Sequence, residues 1–129
     1  DISGTFDGDN EGTVCDDRGQ LVQIVDGPSF SHLVYLDLRV KNPPVYRGSH
    51  YHNRKKEIFY VIEGSIDVDL YDLDTGAFDV IALSGGEKLT LLPRLAHRFL
   101  ARQFSRIIEI SPLPYDRMDV FPFDLGKLA

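Results

Sequence analysis

The sequence predicts an all-β protein in which antiparallel strands form a closed barrel or a sandwich. Short segments rich in β-branched and aromatic residues recur along most of the chain. Turn-forming residues such as Gly, Asn, Asp and Pro separate these segments, and no stretch keeps a helical period of apolar residues over three turns. Many short strands at regular spacing are typical of barrels and sandwiches.

The order of the segments indicates one domain with a short lead-in. Residues 1–19 are acidic and contain several Gly and Asn, so we expect a flexible lead-in with little buried area. Residues 20–129 form the predicted domain, because a chain of 129 residues suffices for one hydrophobic core but not for two. The predicted strands are residues 21–25, 33–40, 58–63, 66–71, 78–83, 88–92, 97–101 and 106–111.

The alternation of side chains predicts which strands are covered on one face and which on both. Ile66, Val68 and Leu70 alternate with two aspartates and a tyrosine, so this strand should bury one face and wet the other. In residues 58–62 both alternating sets are apolar. A strand that is apolar on both faces needs a second cover, which another subunit can supply, and we therefore expect a homodimer.

Composition argues against several classes of protein. The chain is 43% apolar and 26% charged, as soluble folded proteins are, and no apolar run approaches the length of a membrane span. The net charge of -6 argues against nucleic acid as a partner, because phosphate binding requires a basic face. Cys15 is the only cysteine, so no internal disulfide can form, and we expect a cytoplasmic protein.

Three histidines and a glutamate form the candidate site. His50 and His52 are two residues apart in extended chain, so they share a face and can reach one point in space. Glu57 opens the next strand after a short turn, which can place its carboxylate opposite the histidine pair, and His97 begins a later strand. These donors suit a first-row transition metal with open positions left for a ligand. His32 has no partner at a useful spacing and is assigned to the surface.

The spacing of these residues resembles the two motifs of the cupin superfamily. The matching residues are His50, His52, Glu57 and Gly64 in the first motif, and Gly86 and His97 in the second. The resemblance covers roughly residues 46–101 and implies a double-stranded β-helix, which is a jelly-roll barrel. It also implies that His50, His52, Glu57 and His97 bind a divalent transition metal such as Zn, Fe, Mn or Ni. Arg94 stands where the second motif usually has a turn glycine.

A closer likeness is to the cupins that act on sugar nucleotides, namely the deoxysugar 3,5-epimerases, the 3,4-ketoisomerases and the cupin domain of capsular-sugar reductases. It rests on Asp17-Arg18-Gly19, on the run from Arg47 to His52, and on the aromatic tail around Tyr115. In those enzymes a histidine of the Arg-Gly-x-His segment is the general base beside a ketone, and the arginine helps to hold the nucleotide phosphates. Histidine suits the role because its ordinary pKa lies near neutrality.

These likenesses lead to residue assignments. We predict His50 as general base and Tyr115 as an acid on the other face of the substrate, with tail packing as the alternative role for the tyrosine. The predicted substrate contacts are Tyr46, Arg47 and Phe59, the last because it shares the inward face of Glu57. Arg47 has the opposite parity to His50, so it reaches the cavity only if a bulge or the strand end turns it inward.

The sequence leaves three functions open. The first is an epimerase or isomerase of sugars or sugar nucleotides that uses histidine acid-base chemistry, with or without the assistance of a metal. The second is a metal-dependent oxygenase or lyase on a small organic substrate, which the complete set of three histidines and one glutamate favours. The third is a non-catalytic sugar-binding cupin.

Overall fold

The computed structural model describes residue 2 and residues 6–9, 13–27 and 29–128. Its strands are β1 (Phe6–Asp9), β2 (Val14–Asp16), β3 (Gly19–Leu21), β4 (His32–Leu38), β5 (Arg47–Tyr51), β6 (Glu57–Glu63), β7 (Ser65–Asp72), β8 (Phe78–Ser84), β9 (Glu87–Leu91), β10 (Leu95–Ala101), β11 (Ser105–Ser111) and β12 (Phe121–Pro122). The tail also forms the short 3-10 helices Arg117–Asp119 and Leu125–Leu128.

The strands make two five-stranded antiparallel sheets that enclose the core. One sheet has the order β1-β9-β6-β11-β4 and the other the order β12-β5-β10-β7-β8, while β2 and β3 pair with each other as a separate hairpin. Sequential strands alternate between the two sheets at several points, as in a jelly roll. The predicted all-β class is confirmed.

Side chains from the inner faces of both sheets form the hydrophobic core. Ile66, Val68 and Leu70 on β7 are at most 1% exposed, which confirms the predicted inward face of this strand. Phe59 of one sheet packs edge-to-face on Phe99 of the other, with ring centroids 4.9 Å apart. The outward aspartates of β7 pair instead with arginines, since charged groups keep their solvation on that face.

The N-terminal part of the chain differs from the prediction. The predicted strand over residues 21–25 is wrong, because only Leu21 of this segment belongs to a strand and residues 22–27 are irregular. Part of the lead-in joins the barrel, since β1 pairs with β9. Residues 1, 3–5 and 10–12 of the lead-in lie outside the described residues. Edge pairing uses backbone hydrogen bonds, which the polar composition of this stretch does not reveal.

Two backbone irregularities lie next to the candidate site. The pairing of β5 with β10 shifts register between His97 and Arg98, and Gly48 and Ser49 have φ values of 104° and 61°. This is a β-bulge in the strand that carries His50. Arg94 has a φ of 69°, so the position where cupins usually have a turn glycine keeps the left-handed conformation without one.

Candidate functional site

The four predicted ligands converge between the two sheets. His97 on β10 pairs directly with His50 on β5, so their side chains share the inner face. One ring nitrogen from each of His50, His52 and His97 lies within 4.8 Å of the corresponding nitrogens of the other two. Glu57 opens β6 in the opposite sheet, and its Oε1 lies 3.1 Å from His52 Nε2 and 3.6 Å from His97 Nε2. The structure therefore brings together all four residues that the motif spacing predicted.

Backbone carbonyls hold the rings of His52 and His97, and none in the described part of the chain holds the ring of His50. His52 Nδ1 is 2.6 Å from the Asp119 carbonyl oxygen, and His97 Nδ1 is 3.0 Å from the Leu95 carbonyl oxygen. A carbonyl can only accept, so each neutral ring carries its proton on Nδ1 and has its lone pair on Nε2. His50 contacts the other two rings at centroid distances of 5.0 and 4.8 Å. It is only partly buried, whereas His52 and His97 are buried.

Two buried atoms of this cluster lack a hydrogen bond within the described chain. His52 Nε2 and Glu57 Oε1 are both buried and face each other without a geometry that makes a hydrogen bond. Buried polar atoms are almost always paired, and an unpaired carboxylate oxygen is costly. Donor atoms bound to one cation at about 2.1 Å lie about 3 to 3.5 Å apart, as these do. The residues present therefore fit a divalent transition metal.

The surroundings keep two of the imidazoles neutral at physiological pH. Burial and the neighbouring imidazoles lower the pKa of His50 to about 4. Burial also lowers the pKa of His97. For His52 burial acts in the same direction, but the Glu57 carboxylate outweighs it and raises the pKa. The Glu57 pKa is itself held far below its usual range, because the contacts with His52 and His97 outweigh its burial. A neutral imidazole and an ionised carboxylate are the forms that bind metal.

A second polar cluster adjoins Glu57, and motif spacing gave no sign of it. Lys55 is 5% exposed, and its Nζ lies 3.0 Å from His32 Nδ1, 3.5 Å from Glu109 Oε2 and 3.7 Å from Glu57 Oε2. Burial and the adjacent Glu57 raise the pKa of Glu109 to about 7. The assignment of His32 to the surface is therefore wrong, because Lys55 folds back into the protein to meet it.

A signal for Glu109 was present in the sequence, but none was present for Lys55. Glu109 alternates with Ile108 and Ile110 and pairs with Phe59, so its parity places an acidic residue on the inner face of β11. Lys55 belongs to the turn Asn53-Arg54-Lys55-Lys56, whose composition is that of a solvated loop. Its burial follows from contacts with His32 on β4 and Glu109 on β11, which are distant in sequence.

The structure places the other predicted site residues in different surroundings. Phe59 is 2% exposed and belongs to the hydrophobic core, in ring contact with His97. Tyr115 is 62% exposed and lies at the outer end of the second cluster, with its ring 6.0 Å from Lys55 Nζ. Tyr46 stacks under the Arg98 guanidinium at 3.8 Å. Their roles as substrate contacts or acid stay predictions.

The bulge in β5 changes the position of Arg47. Because the register shifts, Arg47 pairs with Phe99, which faces the interior. Arg47 thus lies on the same face as His50, contrary to simple alternation. It is exposed at the start of the strand and borders a cavity of about 510 Å³ that Tyr46, Arg39 and Lys41 also line. Asp37 also lines this cavity, with its Oδ1 4.0 Å from Arg39 Nε, so the lining has three cationic side chains and one carboxylate.

The fold and the site define a cupin: a jelly-roll barrel with three histidines and a glutamate of the two motifs in its interior. A family model described as the polysaccharide biosynthesis C-terminal domain matches residues 14–99. The chain belongs to that family. Comparison with curated protein sequences gives no match.

Solved structures of sugar-nucleotide enzymes share this fold. A double mutant of QdtA, a 3,4-ketoisomerase of Thermoanaerobacterium thermosaccharolyticum, crystallised with TDP, is 20% identical, with 84% of this chain and 80% of that chain covered and a TM-score of 0.74. The rmlC epimerase of Mycobacterium tuberculosis is 17% identical, with coverages of 93% and 68% and a TM-score of 0.76. The capsular polysaccharide assembling protein CapF of Staphylococcus aureus is 18% identical, with coverages of 88% and 32% and a TM-score of 0.66.

These neighbours confirm the cupin fold and the predicted likeness to epimerase- and ketoisomerase-type cupins. At this level of identity the likeness concerns the fold, and the activity of each neighbour is its own. The helical segments of the described chain are single short turns, and none could cross a bilayer.

Proposed function

We propose that the protein is an epimerase or isomerase of a sugar nucleotide that moves a proton at a carbon next to a ketone. The observation that carries the proposal is the inward cluster of three imidazoles and one carboxylate, with two unpaired buried atoms at its centre. Membership of a polysaccharide-biosynthesis family and the names of the structural neighbours support sugar nucleotides as the substrate class.

We assign the cation to His52, Glu57 and His97. Glu57 Oε1 lies 3.1 Å from His52 Nε2 and 3.6 Å from His97 Nε2, which fits donors to one ion, and backbone carbonyls orient both rings as is usual for metal ligands. His50, the fourth predicted ligand, is not needed to hold the ion in this assignment, which leaves its ring available as a base. A divalent ion bound here would act as a Lewis acid that stabilises negative charge on a ketone oxygen.

His50 is the residue we assign as general base. It is the least buried of the three imidazoles, and its low pKa leaves the ring unprotonated at neutral pH. No backbone carbonyl in the described chain fixes its ring, so it is free to turn toward a substrate carbon. A base must lie within hydrogen-bond reach of the proton that it removes.

Tyr115 and the cationic hollow complete the proposed site. The Tyr115 side chain is exposed and its ring centroid lies 6.0 Å from Lys55 Nζ, and we assign it to donate a proton to the opposite face of a planar intermediate. Arg47, Arg39 and Lys41 border one cavity and outnumber its single carboxylate, Asp37, so a diphosphate is the group that we assign to it. Tyr46 lines the same cavity and is the proposed contact for the nucleoside.

The test combines metal analysis with hydrogen exchange. Purified protein is analysed for metals and then incubated in D₂O with TDP-4-keto-6-deoxyglucose, whose deuteration is followed by mass spectrometry. We expect H52Q and H97Q to lose the metal, and H50Q to keep it but lose deuterium incorporation at least about 100-fold. H32Q removes a histidine outside the metal cluster and is the control for metal content, which it should keep. Absence of exchange in the unchanged protein, with or without sugar binding, would contradict the proposal.

A second candidate is a metal-dependent oxygenase or lyase. The complete donor set of three histidines and a glutamate favours it, because metal-free epimerisation does not need that set. Stoichiometric iron together with oxygen uptake on a small organic substrate would select this function instead.

We also propose that the protein is a homodimer. On the outer face of the first sheet, β4, β11 and β6 align the apolar rows Tyr35-Ile108-Tyr60 and Leu33-Ile110-Ile58. Leu33 is 72% exposed and Tyr35 is 54% exposed. An apolar sheet face of this kind in contact with water is typical of an interface. A second copy is the partner that we assign to it.

A further inference from the structure

The turn that connects the two ligand-bearing strands is held by one carboxylate from the C-terminal tail. Asp119 Oδ1 accepts a hydrogen bond from the backbone N–H of Asn53 at 2.8 Å, and Oδ2 accepts from the N–H groups of Arg54 and Lys55 at 3.2 Å each. Asp119 is 5% exposed, so these bonds are shielded from water. The side chain therefore fixes the backbone that separates His52 from Glu57.

The same residue also contacts the His52 ring. The Asp119 carbonyl oxygen lies 2.6 Å from His52 Nδ1, which must be the donor. This contact selects the tautomer that has its lone pair on Nε2 and directs that nitrogen toward Glu57 Oε1, 3.1 Å away. Asp119 thus contacts the His52 ring through its backbone carbonyl and the turn that follows through its carboxylate.

We propose that Asp119 is a positioning residue, which sets the tautomer and orientation of His52 and the distance from His52 to Glu57. The metal part of this inference rests on the proposed function, whereas the tautomer part does not. Ligating histidines commonly have such a partner, and loss of one weakens metal binding by about 10- to 100-fold.

The tail is anchored independently of the Asp119 side chain. β12 pairs with β5, the Tyr51 and Phe121 rings stack at 5.2 Å, and the Phe123 N–H donates to the Ser49 carbonyl. A substitution at position 119 should therefore leave the tail in place while freeing the 53–55 turn. The effect of the Asp119 side chain on His52 can therefore be measured without displacing the tail.

The experiment compares D119A and D119N with D116N. Asp116 is the matched control, because it lies in the same tail and pairs with the Arg54 side chain at 2.7 Å but does not contact the turn backbone. In metal-free protein at a pH well above the His52 pKa, long-range ¹H–¹⁵N correlation spectra report the tautomer of each ring. We expect one Nδ1–H tautomer for His52 in the unchanged protein and in D116N. In D119A the carbonyl of residue 119 remains, but the freed 53–55 turn no longer holds the neighbouring His52 ring against it, so we expect a mixture of tautomers.

Zinc affinity is the second readout, measured by competition with a chromogenic chelator. We expect D119A to bind zinc about 10- to 100-fold more weakly and D119N to fall between D119A and the unchanged protein, because asparagine keeps one acceptor oxygen. D116N should bind as the unchanged protein does. D119N also provides the test if D119A does not fold.

The outcomes separate the two proposals. A single His52 tautomer that persists in both Asp119 variants overturns the role assigned to the side chain, whatever the metal result, because the backbone carbonyl of residue 119 would then hold the ring by itself. An unchanged protein that binds no zinc overturns the metal assignment, and the tautomer spectra still decide the role of Asp119. An equal loss of zinc affinity in D116N would also count against it, since a general loosening of the tail would then explain the effect.

Discussion

His50 shows how position alone changes the chemistry of a residue. In sequence it is one half of a His-x-His pair, indistinguishable from His52. In the barrel it lies against two other imidazoles, and burial together with their charges lowers its pKa to about 4. His52 has a raised pKa, because the Glu57 carboxylate faces it and outweighs burial. Two histidines of one motif, separated by a single residue, are thus suited to different roles.

The lowered pKa of His50 predicts a pH-dependent stability. In the unfolded chain the ring is protonated below about pH 6.5, whereas in the folded metal-free protein it stays neutral down to about 4. The unfolded state therefore binds more protons between these values, and the unfolding free energy falls as the pH is lowered through this range. At about 1.4 kcal/mol per pH unit, this group contributes at most about 3 kcal/mol.

Urea unfolding of metal-free protein between pH 4 and 7 measures this effect. H50Q should lose less stability on acidification than the unchanged protein. H52Q should differ in the opposite sense, because a raised histidine pKa stabilises the fold below its unfolded value and this contribution is lost as the pH rises. If the unfolding free energy depended on pH equally in H50Q and the unchanged protein, folding would not lower the pKa of His50.

Strand β5 shows how one irregular element brings distant residues to a single site. Its bulge at Gly48 and Ser49 places Arg47 and His50 on the same face. A Cβ on Gly48 would lie 2.9 Å from the His97 carbonyl oxygen and 3.3 Å from Arg98 Cα, both of which are backbone atoms that cannot turn aside. Close packing of β5 on β10 therefore requires glycine here for space as well as for its positive φ.

Gly48→Ala should destabilise the protein by about 2 to 4 kcal/mol, because strain and overpacking add. Gly86→Ala is the matched control, since Gly86 also has a positive φ of 90° but nothing within 4 Å of its added Cβ. It should cost only about 1 to 2 kcal/mol. Denaturant unfolding at pH 7 measures both, and equal losses would show that β5 can move away from β10 at little cost.

At the scale of the whole molecule, the outer face formed by β4, β11 and β6 is apolar, and a single chain covers only part of it. Tyr60 in its centre is buried within the chain, but Leu33 and Tyr35 at its edge are not. Residues 22–26 and Phe30 approach this face and leave a hollow of about 610 Å³, lined by Ile110 and Leu33 among others. The predicted second cover of β6 is therefore partly intramolecular, and β4 is the part left for a partner.

Sedimentation equilibrium tests the proposed dimer. We expect the unchanged protein to sediment as a dimer at micromolar concentration and L33E to shift toward monomer, because burying a charge without a partner is unfavourable. V80E is the control, since Val80 is 51% exposed on the edge strand of the other sheet. An unchanged protein that remains monomeric would exclude this interface.

Local pattern was enough to predict the fold class and the four clustered residues. Alternation places Ile66, Val68 and Leu70 inside, and the same rule puts His50 and His52 on one face. The positions of turns and motif residues are encoded within a few neighbours in the chain. Local pattern failed at residues 22–25, which have strand composition but lie against a sheet face without pairing in it.

Only the tertiary structure decided which polar residues surround that cluster. Lys55 and Asp119 look like solvated loop residues in sequence, yet each is 5% exposed and contacts the Glu57–His52 region. Their burial depends on contacts with residues more than 20 positions away, among them His32 and the 53–55 turn. The sequence by itself determined the donors of the site, because donor type and parity are local properties. Their charges, tautomers and fixed geometry depend on neighbours that only folding brings together.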